Sequence, residues 1–273
     1  MNEFLKRSLT GGVFIIVMLG AILISPWTLF ILLLAISGIA LFEYYRMFQI
    51  RGYSPLVYGG IGAGFIILSF VFLERQSYIH GKYLELLMVP IVGLWFSFIF
   101  IKREEIIRSV MVTLTGVIYI LLPLSLIPFL TQNELTGNSY NPEILIGVLL
   151  IIWTYDSGAY ISGVLFGKHK MAPSISPKKS WEGFFGGMIF AILVGILYSK
   201  FTSLLNIQDW IILSIIIVLA GTTGDLFESI MKREAGVKDS GKIMPGHGGI
   251  LDRFDSLLLI VPFVFLYLYL IKI

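Results

Sequence analysis

GTTGDLFESIMKREAGVKDSGKIMPGHGGILDRFD, residues 221–255, decides how this chain is read. The stretch holds eleven of the 37 charged side chains and seven glycines, with apolar runs at 211–220 before it and 257–271 after it. Acids at such edges are costly in lipid, so they face a cavity, a partner or an ion. Asp225 and Glu228 are three apart on the helix that enters the stretch, and Asp252 and Asp255 are three apart on the helix that leaves it. Each pair therefore puts its carboxylates on one helix face. Between the helices, PGHGG (245–249) offers backbone N–H groups that a ligand can approach closely, because glycine has no Cβ in the way. Carboxylates for a divalent cation, basic groups for phosphate and an open glycine loop converge here. The combination points to phosphoryl chemistry at a membrane surface.

The rest of the composition agrees. Of 273 residues, 57% are hydrophobic and 14% charged, against about 25% charged in a soluble domain. The net charge of +3 carries no signal for nucleic acid, and the absence of cysteine excludes disulfides, thiol nucleophiles and cysteine metal sites. Three histidines argue against a zinc cage. Lys6 and Arg7 precede an apolar run, but no small-x-small cleavage site follows, so the run is expected to be an uncleaved first helix.

Apolar runs able to cross about 30 Å of hydrocarbon occur near 9–25, 27–48, 55–73, 83–101, 109–130, 142–166, 183–203, 208–231 and 251–271. The expected fold is an all-α polytopic membrane protein of about nine transmembrane helices. With the N-terminus cytoplasmic and the C-terminus external, sixteen basic residues fall inside and four (Arg75, Lys82, Lys200 and Lys272) outside, as the positive-inside rule asks. A polar loop at 131–141 divides N-terminal spans (1–130, for packing and lipid access) from C-terminal spans (142–273) that carry the site. Gly60 and Gly64, four apart in GGIGAG (59–64), form a small-residue face for helix packing.

A second loaded stretch is WTYDSGAYISGVLFGKHKMAPSISPKKSWEGFFGG, residues 153–187. Asp156 lies ten residues inside the cytoplasmic end of its helix, about 15 Å deep at about 1.5 Å per residue. An acid at that depth is expected to face a polar cavity or an ion. Lys168, His169, Lys170, Ser174, Ser176, Lys178, Lys179 and Ser180 follow in a segment that Pro173 and Pro177 keep from continuing as helix. Glu182, at the head of the next helix, suits the positive end of the helix dipole.

Residues Ser229, Lys232–Arg233, Lys238–Asp239, Pro245, His247–Gly248–Gly249, Asp252–Arg253 and Asp255, together with DSGAY (156–160), FGK (166–168), SPKKSWEG (176–183) and GD (224–225), resemble the signature of the phosphatidate cytidylyltransferases. The resemblance covers about the last 120 residues. Met244 departs from the Leu, Ile or Phe usual there, an apolar change of similar volume. What it implies is conversion of CTP and phosphatidic acid to CDP-diacylglycerol and pyrophosphate in phospholipid biosynthesis, with Mg²⁺ and with a second cation left open. The partners are then CTP, phosphatidic acid and the bilayer, with a homodimer an open alternative. The setting implied is a bacterial inner membrane, the site facing the cytoplasm.

Asp225 and Asp252 are the expected Mg²⁺ ligands, with Asp255 and Asp156 as further catalytic acids and Glu228 pairing with a loop lysine. Lys168, Ser176, Lys178, Lys179, Lys232, Arg233, Lys238, Asp239, Lys242, His247, Gly248, Gly249 and Arg253 are the candidates to bind substrate. Two other readings share the acids: a cation- or proton-coupled transporter, and a transferase acting on a polyprenyl phosphate. A transporter would show interrupted helices in two matching halves, whereas here the loaded residues crowd into one.

Overall fold

The computed structural model describes residues 3–79, 88–99, 106–132, 139–243 and 248–271. Ten α-helices and one two-stranded hairpin make up the described elements. They are α1 (Glu3–Ile24), α2 (Pro26–Ile50), α3 (Val57–Arg75), α4 (Met88–Ile99), α5 (Ile106–Gly116), α6 (Leu122–Thr131), α7 (Glu143–Phe166), β1 (Lys170–Ala172), β2 (Ser176–Ser180), α8 (Trp181–Tyr198), α9 (Ile207–Glu234) and α10 (Leu251–Leu270). A π-helical turn, Val117–Leu121, joins α5 to α6 into one rod, placing the irregular turn just ahead of Pro123, which cannot donate to the helix ladder.

Seven of the rods are long and apolar enough to cross a membrane: Pro26–Ile50, Val57–Arg75, Ile106–Thr131, Glu143–Phe166, Trp181–Tyr198, Ile207–Glu234 and Leu251–Leu270. Two shorter apolar helices, Leu9–Ile24 and Met88–Ile99, fall where the first and fourth spans are expected. The architecture is that of an all-α polytopic membrane protein. Its outward surface is rich in large apolar side chains such as Ile31, Val164, Phe166, Ile189 and Leu193, a surface suited to lipid rather than water.

The chain forms two compact units, Met1–Pro128 with Lys232–Phe254, and Phe129–Met231 with Asp255–Ile273. In the first, Ser25 caps α2 by accepting from Thr28 N, and Pro26 occupies the first helical position, so α1 and α2 meet at a tight turn. Leu41, Tyr44, Tyr45 and Met47 of α2 are buried, and the Tyr45 hydroxyl donates to Thr113 O at 3.0 Å. Gly60 packs on the Tyr45 ring and Gly64 on Leu41 and Leu121, as the GGIGAG pattern predicts. The end of α9, the glycine loop and the first turn of α10 belong to this unit. Gly236, with φ of +75°, ends α9 in the left-handed conformation that releases the chain into that loop.

The second unit is built on close contact of α7 and α8. Gly183, Gly187, Ala191 and Gly195 recur every fourth residue along α8, so small side chains line one face. A Cβ on Gly187 would stand 2.8 Å from Tyr155 O and 2.9 Å from Ala159 Cβ. Trp210 of α9 is wholly buried, packed on Gly147 and Tyr198. Gly224 meets α10 at the Asp255 carbonyl, where a Cβ would lie 2.8 Å away.

Candidate active site

In the second unit, Pro173 and Pro177 divert the chain after α7 into an antiparallel hairpin that pairs Lys170 with Ser180 and Ala172 with Ser176. The polar segment expected to be a loop is thus partly strand. Ser180 ends β2 and caps α8, its Oγ accepting from Gly183 N at 3.2 Å. Glu182 lies in the first turn of α8, as the helix dipole favours. Its carboxylate also accepts from the backbone N–H of Lys168 and His169, each at 3.2 Å, and meets His169 Nδ1 at 2.6 Å. One acid therefore ties the exit of α7 to the start of α8 and orients the hairpin between them.

The hairpin roofs a cavity of about 450 Å³ whose walls include Asp156, Lys170, Lys178, Lys179, Asp225 and Ser256. Lys179 Nζ lies 2.5 Å from Asp225 Oδ2. Beside them the Tyr155 hydroxyl and Thr222 Oγ1 are 2.6 Å apart. Asp156 stands ten residues before the end of α7, and it lines this cavity. Two carboxylates and three ammonium groups on one cavity can hold an anion and a hard cation together. Mg²⁺ takes one or two carboxylates with water and substrate oxygens, and the donors that Asp156 and Asp225 supply fit that requirement.

In the first unit, Asp252 sits in the first turn of α10 with its side chain only 9% exposed. It accepts from Lys232 Nζ at 2.7 Å, Ser240 N at 3.0 Å and Gly249 N at 2.8 Å. An ammonium and two backbone donors meet its oxygens and fix its direction. Gly248, with φ of +86°, is where the backbone folds over this carboxylate, and a Cβ there would press on Asp252 Oδ2 at 2.6 Å. A second cavity of about 540 Å³ lies between α2 and residues 237–243, lined among others by Glu43, Arg46, Lys238, Asp239 and Lys242.

Asp156, Lys178, Lys179 and Asp225 are thus brought to one cavity, and Lys232, Gly248, Gly249 and Asp252 to one cluster. Asp255 opens the part of α10 in the second unit, and its carboxylate accepts from Ser256 N at 2.7 Å. Lys168 is exposed and Ser176 half-buried on β2; neither lines the cavity. Arg233 and Arg253 are exposed at their helix ends, and His247 lies outside the described residues. Glu228 is wholly buried in α9. Among the described residues, no three His, Asp or Glu side chains gather into a ready-made metal cage.

Glu43 escaped the sequence reading. It is 3% exposed, and its Oε2 accepts from Leu251 N at 2.9 Å and from Ser240 Oγ at 3.2 Å. The available signal was an acid inside the apolar run LFEYYRMF (41–48), since an ionisable group within a span is a functional candidate by default.

Comparison with known proteins bears on the family to which the chain belongs. The model of the cytidylyltransferase family matches residues 5–271. The phosphatidate cytidylyltransferase of Haemophilus influenzae is 34% identical over 290 residues, covering 97% of this chain and 98% of that protein. Proteins of the same name from Staphylococcus epidermidis and Staphylococcus aureus are 38% identical over 224 residues and 37% over 206 residues, covering 81% and 74% of this chain and 69% and 65% of theirs.

Proposed function

The chain belongs to the cytidylyltransferase family, and from that membership we propose that its two clusters of acids and lysines carry the phosphatidate cytidylyltransferase reaction. The protein is an integral membrane enzyme that makes CDP-diacylglycerol and pyrophosphate from CTP and phosphatidate. The readings as transporter or polyprenyl phosphate transferase give way to this one.

A phosphate oxygen of phosphatidate attacks the α-phosphorus of CTP, forming the new phosphoanhydride as the bond from that phosphorus to the β-bridging oxygen breaks. The nucleophile is already largely ionised near neutral pH, so no strong general base is needed. The chain's task is to bring two anions together and to balance the charge that grows on departing pyrophosphate. Lys179 and Lys178 on the cavity wall, and Lys232 in the Asp252 cluster, supply fixed positive charge for it. Lys168, Ser176, Arg233, Lys238, Asp239, Lys242, His247, Gly248, Gly249 and Arg253 complete the proposed substrate-binding set.

Asp225 and Asp252 are the proposed Mg²⁺ carboxylates, with Asp156 and Asp255 supporting them. Each of the first two faces a lysine, a partner that can turn instead to a substrate phosphate. When bound, the cation neutralises phosphate oxygens and polarises the leaving group. The proposed setting is a bacterial inner membrane with the site facing the cytoplasm, on the sixteen-to-four bias of basic residues.

The observation that carries this reading is the Lys179–Asp225 pair on a cavity that also holds Asp156 and Lys178. The test is a product assay on purified protein in mixed micelles with Mg²⁺. CTP and phosphatidate are expected to give CDP-diacylglycerol and pyrophosphate, and nucleotide sugars with a polyprenyl phosphate to give nothing. The opposite pattern overturns the proposal.

A further inference from the structure

Glu43 is the only acid of α2, and it is buried. Burying a carboxylate is costly unless its hydrogen bonds are met. The bonds it makes reach across 208 residues to Leu251 N and across 197 to Ser240 Oγ. Those two residues bracket the glycine loop. The same loop turns Ser240 N and Gly249 N onto Asp252. Gly241 and Gly249 abut the Glu43 carboxylate so closely that a Cβ on either would overlap its oxygens. Both ends of the loop are therefore closed on one side chain delivered by a helix far away in sequence.

We propose that Glu43 is a positioning residue: by holding Ser240 and Leu251 together, it fixes the two ends of the glycine loop, where the N–H groups of Ser240 and Gly249 aim Asp252. The inference rests on the reading that Asp252 serves the transfer reaction. A carboxylate oxygen at Oε2 acts here as an acceptor for two donors, so charge is not what the role needs. Glutamine keeps such an acceptor at the same reach; alanine does not.

The test uses the full-length protein in detergent with four substitutions. Glu43→Ala is expected to lower kcat by about 10²-fold, the cost of a roughly 1 Å misplacement at a reacting centre. The KM values for CTP and phosphatidate should move far less. Glu43→Gln should stay within about threefold of the parent, because both hydrogen bonds can re-form. The chain lacks cysteine, so Ile250→Cys reports on the loop through its rate of maleimide labelling. That rate should rise several-fold when Glu43→Ala is added and stay near the parent's when Glu43→Gln is added. If Glu43→Ala does not yield folded protein, Gly241→Ala decides, since its Cβ displaces the same carboxylate; it should lower kcat and speed labelling. Parent-like kcat in Glu43→Ala or Gly241→Ala overturns the proposal, as does equal loss in Glu43→Gln with labelling unchanged. Absence of CDP-diacylglycerol from the parent would sink the functional reading instead, and the labelling comparison would still decide the role of Glu43.

Discussion

Lys179, on the second strand of the hairpin, places its ammonium 2.5 Å from the carboxylate of Asp225 on α9. Neither residue owes its place to the other's neighbourhood in sequence. Ser180 ends the strand and caps α8, which sets the direction of Lys179, while the close approach of Gly224 to α10 sets the depth of Asp225. Lys178 lines the same cavity from the adjacent strand position. The pair is partly open to the cavity, so it serves better as a reservoir of positioned charge than as a source of stability.

From that relationship, Lys179→Ala is expected to reduce kcat/KM by about 10²- to 10³-fold, the usual cost of losing one preorganised donor to transition-state charge. Lys178→Ala should cost less than about tenfold, because it contributes charge without the fixed partner. Steady-state kinetics with each substrate varied in turn make the comparison. Equal, small losses in both variants would mean that the hairpin only senses anionic lipid.

The long helices were legible because hydropathy alone reports them: Pro26–Ile50, Glu143–Phe166 and Leu251–Leu270 fall within a few residues of the predicted runs. Asp156, Asp225 and Asp252 were legible because an acid at a span is expensive and so is noticed. The hairpin was not, since three- and five-residue strands with two prolines in the segment give no alternating pattern to read. The partners were not either. Asp252 with Lys232, Lys179 with Asp225 and Glu43 with Leu251 are separated by 20, 46 and 208 residues, and only packing decides such pairs. Glu43 shows this best, for its isolated acid could be seen while its role could not.

Helix packing in the second unit gives a prediction on stability. Gly187→Ala puts a methyl 2.8 Å from Tyr155 O and 2.9 Å from Ala159 Cβ, so α7 and α8 must part. A destabilisation of about 1–3 kcal/mol is expected for such overpacking, seen as a lower melting temperature in detergent. Gly62→Ala on α3 meets nothing within 4 Å and gains helix propensity of up to about 1 kcal/mol. Its melting temperature should equal or exceed the parent's. The reverse order would show that the α8 glycine stripe is not a packing face.

Orientation is open to direct labelling in a chain without cysteine. Ser174→Cys, exposed in the hairpin, should react with an impermeant maleimide only from the cytoplasmic side, and Ser139→Cys, exposed before α7, only from outside. Both expectations follow from the excess of basic residues on one set of loops. Labelling of either residue from the other side would invert the topology and move the site away from cytoplasmic CTP.

The metal proposal makes the sharpest demand on two acids that look different. Asp252 is almost enclosed, held by Lys232 and by the N–H groups of Ser240 and Gly249, whereas Asp225 stands on a cavity wall, paired there with Lys179. Asparagine keeps the size of either side chain, replacing one oxygen by a nitrogen donor and removing the charge. At Asp225 the amide can still meet the cavity, so Asp225→Asn should fold as well as the parent. At Asp252 the lost charge takes the carboxylate from the half-buried Lys232, so Asp252→Asn should also lower stability, by about 1–3 kcal/mol. Both variants should lose CDP-diacylglycerol formation by about 10³-fold or more if they hold the cation whose charge compensation drives the step. Chelation of Mg²⁺ should silence the parent, and binding of Mn²⁺ as a paramagnetic probe should weaken in both variants. Near-parental turnover in Asp225→Asn, or turnover in chelator, would remove the metal from the mechanism. Loss of turnover in Asp252→Asn with Mn²⁺ binding intact would instead leave Asp252 as an organiser of the glycine loop, with Asp225 and Asp156 to hold the cation.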